Sequence, residues 1–405
     1  MNILFVAHAA TRGGAAGVLL ELLRFIERET PHKSTVLTVR GGPLEAEFVR
    51  AATPFAEVAP FRLATRLAGA KRRVDEMDLP FQEIVERLLD GAMRVNTRRA
   101  RRVARECPRF DVVYVNSVAS GEAVKGLEPL LRRGTKLVVH VHEMAFALSQ
   151  NEPGWSFLKR RGDLFIAVSK AVYDELVKNQ GLAPVVVVRE WVDFEKLQTD
   201  RTAARHALRL RIGAPEEAVV IGGCGTIEPR KGTDWWVQSA FYALNVEPNA
   251  RKSPAPLHFV WLGGGDNVFA RGIERDVQGY GIGDRVHFLP TTREPKEFFA
   301  GLDGFLLASR EDPFPLVAVE AAAQSVPILC FENGGGAVEL VGENGGVMAP
   351  WGDCAGMGRA LASLGLDSDF REQLGRNVYK RALGMCDTSK NCARVVELLE
   401  SAVTD

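Results

Sequence analysis

Two doubly wound parallel-sheet α/β domains are the fold class this sequence predicts, and three observations predict it. At 405 residues the chain exceeds the size that one hydrophobic core usually organises. Short apolar runs alternate with helix-period segments from one end to the other, which is the pattern of repeated strand–helix–strand units. That alternation runs through twice, with a joint near Glu190, Trp191, Val192 and Asp193.

In the first series, strands are read at residues 3–7, 35–39, 112–115, 136–141 and 164–168, with amphipathic stretches such as 16–28 between them. The pattern restarts after Pro184, with apolar runs at 185–188, 219–223, 258–262, 286–289, 304–307 and 327–331. A charged helix is expected at 199–210. Residues 245–256 hold three prolines and are expected as a surface connection. Asp387, Thr388 and Ser389 supply capping groups for a helix over 388–402. The domains are therefore placed at 1–190 and 191–387.

Composition excludes several classes. Hydrophobic residues make up 46% and charged residues 25%, as in ordinary globular proteins, and 51 basic residues balance 51 acidic ones. A neutral chain has no general attraction for nucleic acid or anionic lipid, so any such attraction is local. The densest basic stretch runs from Arg94 to Arg109. It reads either as a face for anionic lipid or a phosphorylated acceptor, or as a solvated helix paired to acids elsewhere. It lacks the interleaved aromatics that stack on nucleic-acid bases. Six cysteines without a C-x-x-C pair read as reduced residues of a cytoplasmic protein. The N-terminal apolar run is too short for a signal peptide, and no run of about 20 apolar residues suggests a spanning helix.

The loops carry the chemistry. Asp312 precedes Glu320 by eight residues, across a loop that runs from an apolar strand into an apolar helix. Such a layout suits a nucleotide sugar: one acid reaches a sugar hydroxyl, the other accepts ribose hydroxyls, and helix N–H groups hold a diphosphate. Gly13 and Gly14 follow the first strand, where small residues let the backbone approach an anion. They do not form a dinucleotide fingerprint, because the spacing is wrong and Arg40 stands where an acid is required. Arg230 and Lys231, beside Gly232, offer a planar fork and a point charge to a diphosphate. His140 and His142 share one face of a strand, with Glu143 opposite or past its end, and no third metal ligand is placed nearby. Glycine turns follow two further strands, at Gly263–Asp266 and Asn333–Gly336, and read equally as ligand contacts or as plain turns.

Taken in order, these elements resemble the retaining glycosyltransferases of group 1, which have two Rossmann-like domains facing across a cleft, the GT-B type. The pair Asp312 and Glu320 matches that family's paired glutamates, with Ser309, Phe314 and Ala321 in place. Pro229–Gly232, Gly13–Gly14, His142, Ala167–Ser169 and Gly345–Gly346 are similar as well.

The resemblance implies a retaining, metal-independent transfer of a sugar from a nucleoside-diphosphate sugar to an acceptor hydroxyl. It implies donor contacts at Gly13, Gly14, Arg230, Lys231, Pro315, Leu316, Val317 and Glu320, and catalytic roles for His142 and Asp312, with no cofactor. It also implies that residues 388–405 return to the first domain. By resemblance the setting is bacterial polysaccharide or glycolipid assembly, cytoplasmic or peripheral on the inner membrane face, with a glycan or lipid-linked acceptor. Two departures stand out. Asp312 is one methylene shorter than the family's glutamate, with Glu311 the alternative beside it, and Thr226 stands where many members carry arginine. An epimerase on a nucleotide sugar, a non-catalytic nucleotide-sugar-binding protein and an oxidoreductase are the alternatives.

Overall fold

The computed structural model describes residues 1–54, 109–128, 131, 134–245, 256–292 and 294–404. Most of the arginine-rich stretch from Arg94, and most of the expected connection at 245–256, lie outside these residues. The described chain divides into two compact units. Unit 1 comprises Met1–Val168, Val172–Val188 and Thr388–Asp405, and unit 2 comprises Ser169–Ala171 and Arg189–Asp387.

Unit 1 holds seven strands: β1 (Asn2–Ala9), β2 (Lys33–Arg40), β3 (Thr53–Pro54), β4 (Val112–Asn116), β5 (Lys136–Val141), β6 (Leu164–Ala167) and β7 (Val185–Val187). All pairings are parallel, in the order β3-β2-β1-β4-β5-β6-β7. Unit 2 holds β8 (Val219–Cys224), β9 (Leu257–Leu262), β10 (Val286–Leu289), β11 (Gly304–Leu307), β12 (Ile328–Phe331) and β13 (Gly346–Ala349). Their order is β10-β9-β8-β11-β12-β13, again all parallel. These are the doubly wound sheets that the alternation predicts. One grouping differs: β7 pairs with β6 and closes the first sheet, so the second series begins at the joint and not at Pro184.

Strands with both faces covered read as continuous apolar runs, and β4, β9, β11 and β12 are buried along their whole length. The helices that matter below are α1 (Gly14–Glu29), α2 (Arg201–Ile212), α3 (Thr233–Asn245), α4 (Leu316–Ala323), α5 (Ser368–Cys386) and α6 (Thr388–Thr404). α2 starts where the Asp200 side chain accepts the Ala203 N–H and ends at Gly213 in the left-handed conformation. The core of unit 2 gathers Trp236 of α3 with Phe259 and Trp261 of β9, whose rings meet edge to face at 5.8 and 5.5 Å. α6 belongs to unit 1, burying Val395 and Leu399, and Glu400 pairs with His32 at 2.8 Å. Among the described residues, no disulfide joins the five cysteines Cys224, Cys330, Cys354, Cys386 and Cys392 to one another.

Arg209 of α2 crosses beneath the second sheet and donates to Asp303 at 2.6 Å, with both side chains buried. Asp303 also accepts the Val220 N–H at 2.8 Å, so one carboxylate ties α2, β8 and β11 together. Removing one partner of such a pair strands a charge in the interior, at a cost of about 3–5 kcal/mol. Asp303→Ala should therefore lower the unfolding free energy measured in urea by an amount in that range, with no change in the far-ultraviolet spectrum at low urea.

Candidate active site

In unit 2 the strand order reverses between β8 and β11. In open α/β sheets ligands bind outside the carboxyl ends of strands at such a reversal. The loops leaving β8 and β11 carry Arg230, Lys231 and Asp312. Pro229–Lys231 forms one 3₁₀ turn, ended by Gly232 at φ +64°. A β carbon on Gly232 would stand 1.9 Å from the Ala308 carbonyl oxygen, so only glycine lets the turn press against the end of β11.

The result of that close approach is an ion pair. Lys231 Nζ donates to Asp312 Oδ2 at 2.7 Å, and Ser309 Oγ donates to the same oxygen at 3.3 Å. The side chains are 17% and 8% exposed, so water screens the pair poorly. The backbone of Asp312 is fixed from its other side: its N–H donates to the Gly334 carbonyl at 2.9 Å, and its carbonyl accepts from the Gly336 N–H at 3.0 Å. Between them Gly335 adopts φ +117°, with space for no β carbon against the Asp312 carbonyl. The glycine turn at 333–336 thus shapes the acidic loop.

Arg310 staples the same loops, a role the sequence reading missed. Its N–H donates to the Arg230 carbonyl at 2.8 Å, and its guanidinium donates to both oxygens of Asp234 at 2.9 and 2.7 Å and to the Pro229 carbonyl at 2.6 Å. The guanidinium also lies 4.1 Å from the ring centroid of Trp235, which meets Phe331 and Trp351 edge to face at 5.3 and 5.0 Å. Arg230 donates to the Glu311 carbonyl at 3.1 Å and pairs with Glu228 at 3.0 Å.

α4 begins beyond the acidic loop without a side-chain cap. Pro315, expected among the donor contacts, has no N–H to give and serves as the N-cap residue. The Ala318 N–H makes the bond to the Pro315 carbonyl, at 3.0 Å, so the N–H groups of Leu316 and Val317 lie ahead of it at the positive end of the helix. Glu320 sits on this otherwise apolar helix, and burial pushes its carboxyl up to about 7. Cys224, at the end of β8, is pushed up to about 12, first by burial and then by the neighbouring charge of Glu320, with Lys231 opposing. Those couplings bring Glu320, Lys231 and Asp312 around one strand end.

Unit 1 gathers its own set. Gly13 caps α1 with its backbone extended and no side-chain cap, and the helix starts at Gly14, earlier than the apolar periodicity implies. Asn116, the last residue of β4, donates to the Ala15 carbonyl at 2.9 Å, and its Oδ1 accepts from His142 Nε2 at 3.2 Å. His142 is thereby linked to the glycine turn through one amide. The His140 ring lies against it, tilted by 49° with centroids 4.2 Å apart, and hydrogen-bonds the Tyr114 hydroxyl through Nδ1. Burial, then repulsion from His142, holds His140 well below the usual imidazole value, so it is neutral. Glu143 lies past the strand end, where Ser117 Oγ, the Val118 N–H at 3.3 Å and the His142 N–H at 2.9 Å donate to it. Burial nonetheless outweighs these bonds and raises its pKa. Ser117 turns the chain at φ +90°, a strained conformation for a residue with a side chain. The polar Asn116-Ser117 pair after four apolar residues was the available signal for this network.

Among the described residues, no group of three or more His, Cys, Asp or Glu stands close enough together to hold a metal ion. No helix among them is long and apolar enough to cross a membrane.

Comparison with known proteins follows the same division. Residues 218–367 match the family described as glycosyl transferases group 1, and residues 12–196 match glycosyltransferase family 4. A D-inositol 3-phosphate glycosyltransferase of Streptomyces bingchenggensis is 27% identical over 224 residues, 54% of this chain and 49% of that protein. The chain thus spans about half the length of that relative. The protein of the same description from Saccharomonospora viridis is 26% identical over 371 residues, 86% of this chain and 83% of that one. Among solved structures, Anabaena Alr3699/HepE in complex with UDP-glucose superposes with a TM-score of 0.74 at 18% identity, covering 99% of this chain and 100% of that one.

Two predictions follow from the geometry of unit 2. Asp312→Asn leaves the Lys231 ammonium uncompensated and should destabilise the chain by about 3 kcal/mol; adding Lys231→Met should restore most of the loss in urea unfolding. For Glu320, the folded carboxyl titrates near 7 and the unfolded one near the ordinary 4.5. Between those values the folded state holds the extra proton, so stability falls as pH rises through the window and is level above it. Glu320→Gln should abolish that fall in unfolding curves taken at intervals across it.

A glycosyltransferase family model thus matches most of each unit, family 4 over residues 12–196 and group 1 over residues 218–367, and the solved structure shares the fold across both.

Proposed function

We propose that this glycosyltransferase moves a sugar from a nucleoside-diphosphate sugar to an acceptor hydroxyl with retention of anomeric configuration and without a metal ion. The observation that carries the reading is the Lys231–Asp312 pair, 2.7 Å apart beside the uncapped start of α4. Departure of a nucleoside diphosphate develops negative charge, and fixed cations with helix N–H groups stabilise it where it forms. An ammonium has three donors. Lys231 can keep one on Asp312 and turn the others to a phosphate oxygen, while Arg230 adds a second positive charge.

Asp312 faces the transferred sugar in this reading, and Glu320 accepts the ribose hydroxyls. Its elevated pKa supports a site from which water is largely withdrawn, where a hydrogen bond to ligand is worth most. Gly13, Gly14 and His142 are assigned to the donor as well; the support is the Asn116 bridge, which fixes the His142 ring relative to the glycine turn. The acceptor attacks on the face from which the diphosphate leaves, and a phosphate oxygen takes the acceptor's proton. No enzymic nucleophile is required.

The solved structure with UDP-glucose bound is the precedent for a uridine donor, and the curated relatives named for D-inositol 3-phosphate are the precedent for a polyol acceptor. Assembly of bacterial polysaccharide or glycolipid is the setting we propose, with membrane contact through the stretch from Arg94 to Arg109. Both family models describe transferases, so the epimerase, binding-protein and oxidoreductase alternatives gain no support.

Incubation with a panel of nucleoside-diphosphate sugars and polyol acceptors, followed by proton NMR of the product, tests the reading. An anomeric coupling matching the donor's supports retention; the inverted coupling refutes it. Lys231→Met keeps the length of the side chain and loses the charge, and should reduce kcat by about 10²–10³ if the ammonium stabilises the leaving group. Wild-type turnover in that variant would remove Lys231 from the mechanism.

A further inference from the structure

A cavity of about 570 Å³ opens in unit 2 at the amino ends of β11 and β12, the end of the sheet away from Lys231 and Asp312. Four guanidinium groups line it, those of Arg201, Arg205, Arg371 and Arg376, against two carboxylates, Asp303 and Glu372. Asp303 is already engaged by the buried Arg209 behind it at 2.6 Å. The lining is therefore positive overall even though Arg376 pairs with Glu372 at 3.2 Å, and two of its arginines are held by groups that leave their charge in place. Arg201 donates to the carbonyls of Gln324, Ser325 and Leu302 at 2.6, 3.2 and 3.2 Å, and Arg371 donates to those of Leu364 and Gly365 at 2.7 and 3.0 Å. Carbonyl oxygens orient a guanidinium without neutralising it. Burial, followed by repulsion from Arg205, lowers the pKa of Arg201, against the opposing pull of Asp303 and Glu372.

Two of the four present an unused edge. Arg205 bonds Asp303 through Nη1, and Arg371 spends Nη1 alone on its two carbonyls. Among the described residues these are their hydrogen bonds, so Nε and Nη2 of each guanidinium remain, the paired donors that match two oxygens of a phosphate. Asp367 accepts the Phe370 N–H at the start of α5, so the attraction of the cavity comes from its arginines and not from that helix end.

We infer that this cavity binds a small phosphate-bearing anion between Arg205 and Arg371, at a site separate from the candidate active site. The same group can come from a soluble phosphate ester or from a phospholipid headgroup. Arg201 meanwhile grips the carbonyls of Gln324 and Ser325, which follow α4, the helix bearing Glu320. An anion here therefore sits at the far end of that helix.

Titration calorimetry with inorganic phosphate tests the inference, using the full chain with Lys231→Met and Asp312→Asn so that the candidate active site lacks its ammonium. One saturable phosphate site is expected, weakened at least about tenfold by Arg205→Gln with Arg371→Gln. Absence of saturable binding, or unchanged affinity in that variant, overturns the site. Should the glutamine pair fail to fold by circular dichroism, Arg205→Lys with Arg371→Lys decides instead. Lysine keeps the charge and loses the fork, so affinity should fall several-fold, and equal affinity overturns the proposal. Sedimentation with phosphatidylcholine vesicles containing phosphatidylglycerol separates the sources. Capture that inorganic phosphate competes away identifies a headgroup, and no capture alongside saturable phosphate binding identifies a soluble ester.

Discussion

An ammonium and a carboxylate 2.7 Å apart, both largely withdrawn from water, must be held by the surrounding backbone if their attraction is to repay the hydration they have lost. Much of what is unusual in the second unit serves that end. Gly232 lets the lysine turn lie against the end of β11, Gly335 lets the neighbouring turn grip the main chain of Asp312, and Arg310 ties the lysine turn to the acidic loop through Asp234 and the Trp235 ring. The pair is stiff because three loops converge on it. Stiffness is what electrostatic catalysis requires, since a charge already in position spends nothing on reorganisation when the leaving group departs.

Burial has a second effect on the same strand end. Glu320 and Cys224 both lose water, and each is driven toward its neutral form, the glutamate up to about 7 and the thiol to about 12. The thiol is inert at neutral pH and acts as packing. The glutamate is poised, because a small change in surroundings, such as a bound polyhydroxyl ligand or a nearby cation, decides its charge. Unit 1 repeats the theme with other residues: Glu143 is raised by burial despite its hydrogen bonds, and His140 is kept neutral behind His142.

The strand and helix alternation was legible because parallel strands covered on both faces leave unbroken apolar runs. Where that condition fails, so did the reading. Thr53–Pro54 is two residues long, too short for any periodicity, and Gly346–Ala349 is a sheet edge with Met348 exposed. Pro184 looked like a boundary, yet β7 just beyond it still pairs within the first sheet. At the sites, residues that stand out locally could be picked out: Lys231 beside a glycine, Asp312 in the loop after a strand, Glu320 on an otherwise apolar helix, and the histidine at 142. Arg310 and Asp234 were not, because they are 76 positions apart and each alone resembles an ordinary solvated charge. The bond from Ser117 to Glu143, across 26 positions, was hidden for the same reason. Spacing along a chain does not report a pairing made by the fold.

The last described helix, Thr388–Thr404, belongs to the unit that begins at Met1, so the second unit is an insertion within the first. During synthesis the opening strands emerge long before the helix that covers them. The partners of Val395, Leu399 and Glu400 in unit 1 must therefore wait, uncovered, while the whole second unit is made. Maturation of the first unit is thus timed by the second, and a ribosome stalled anywhere between them leaves an apolar surface for chaperones to shield.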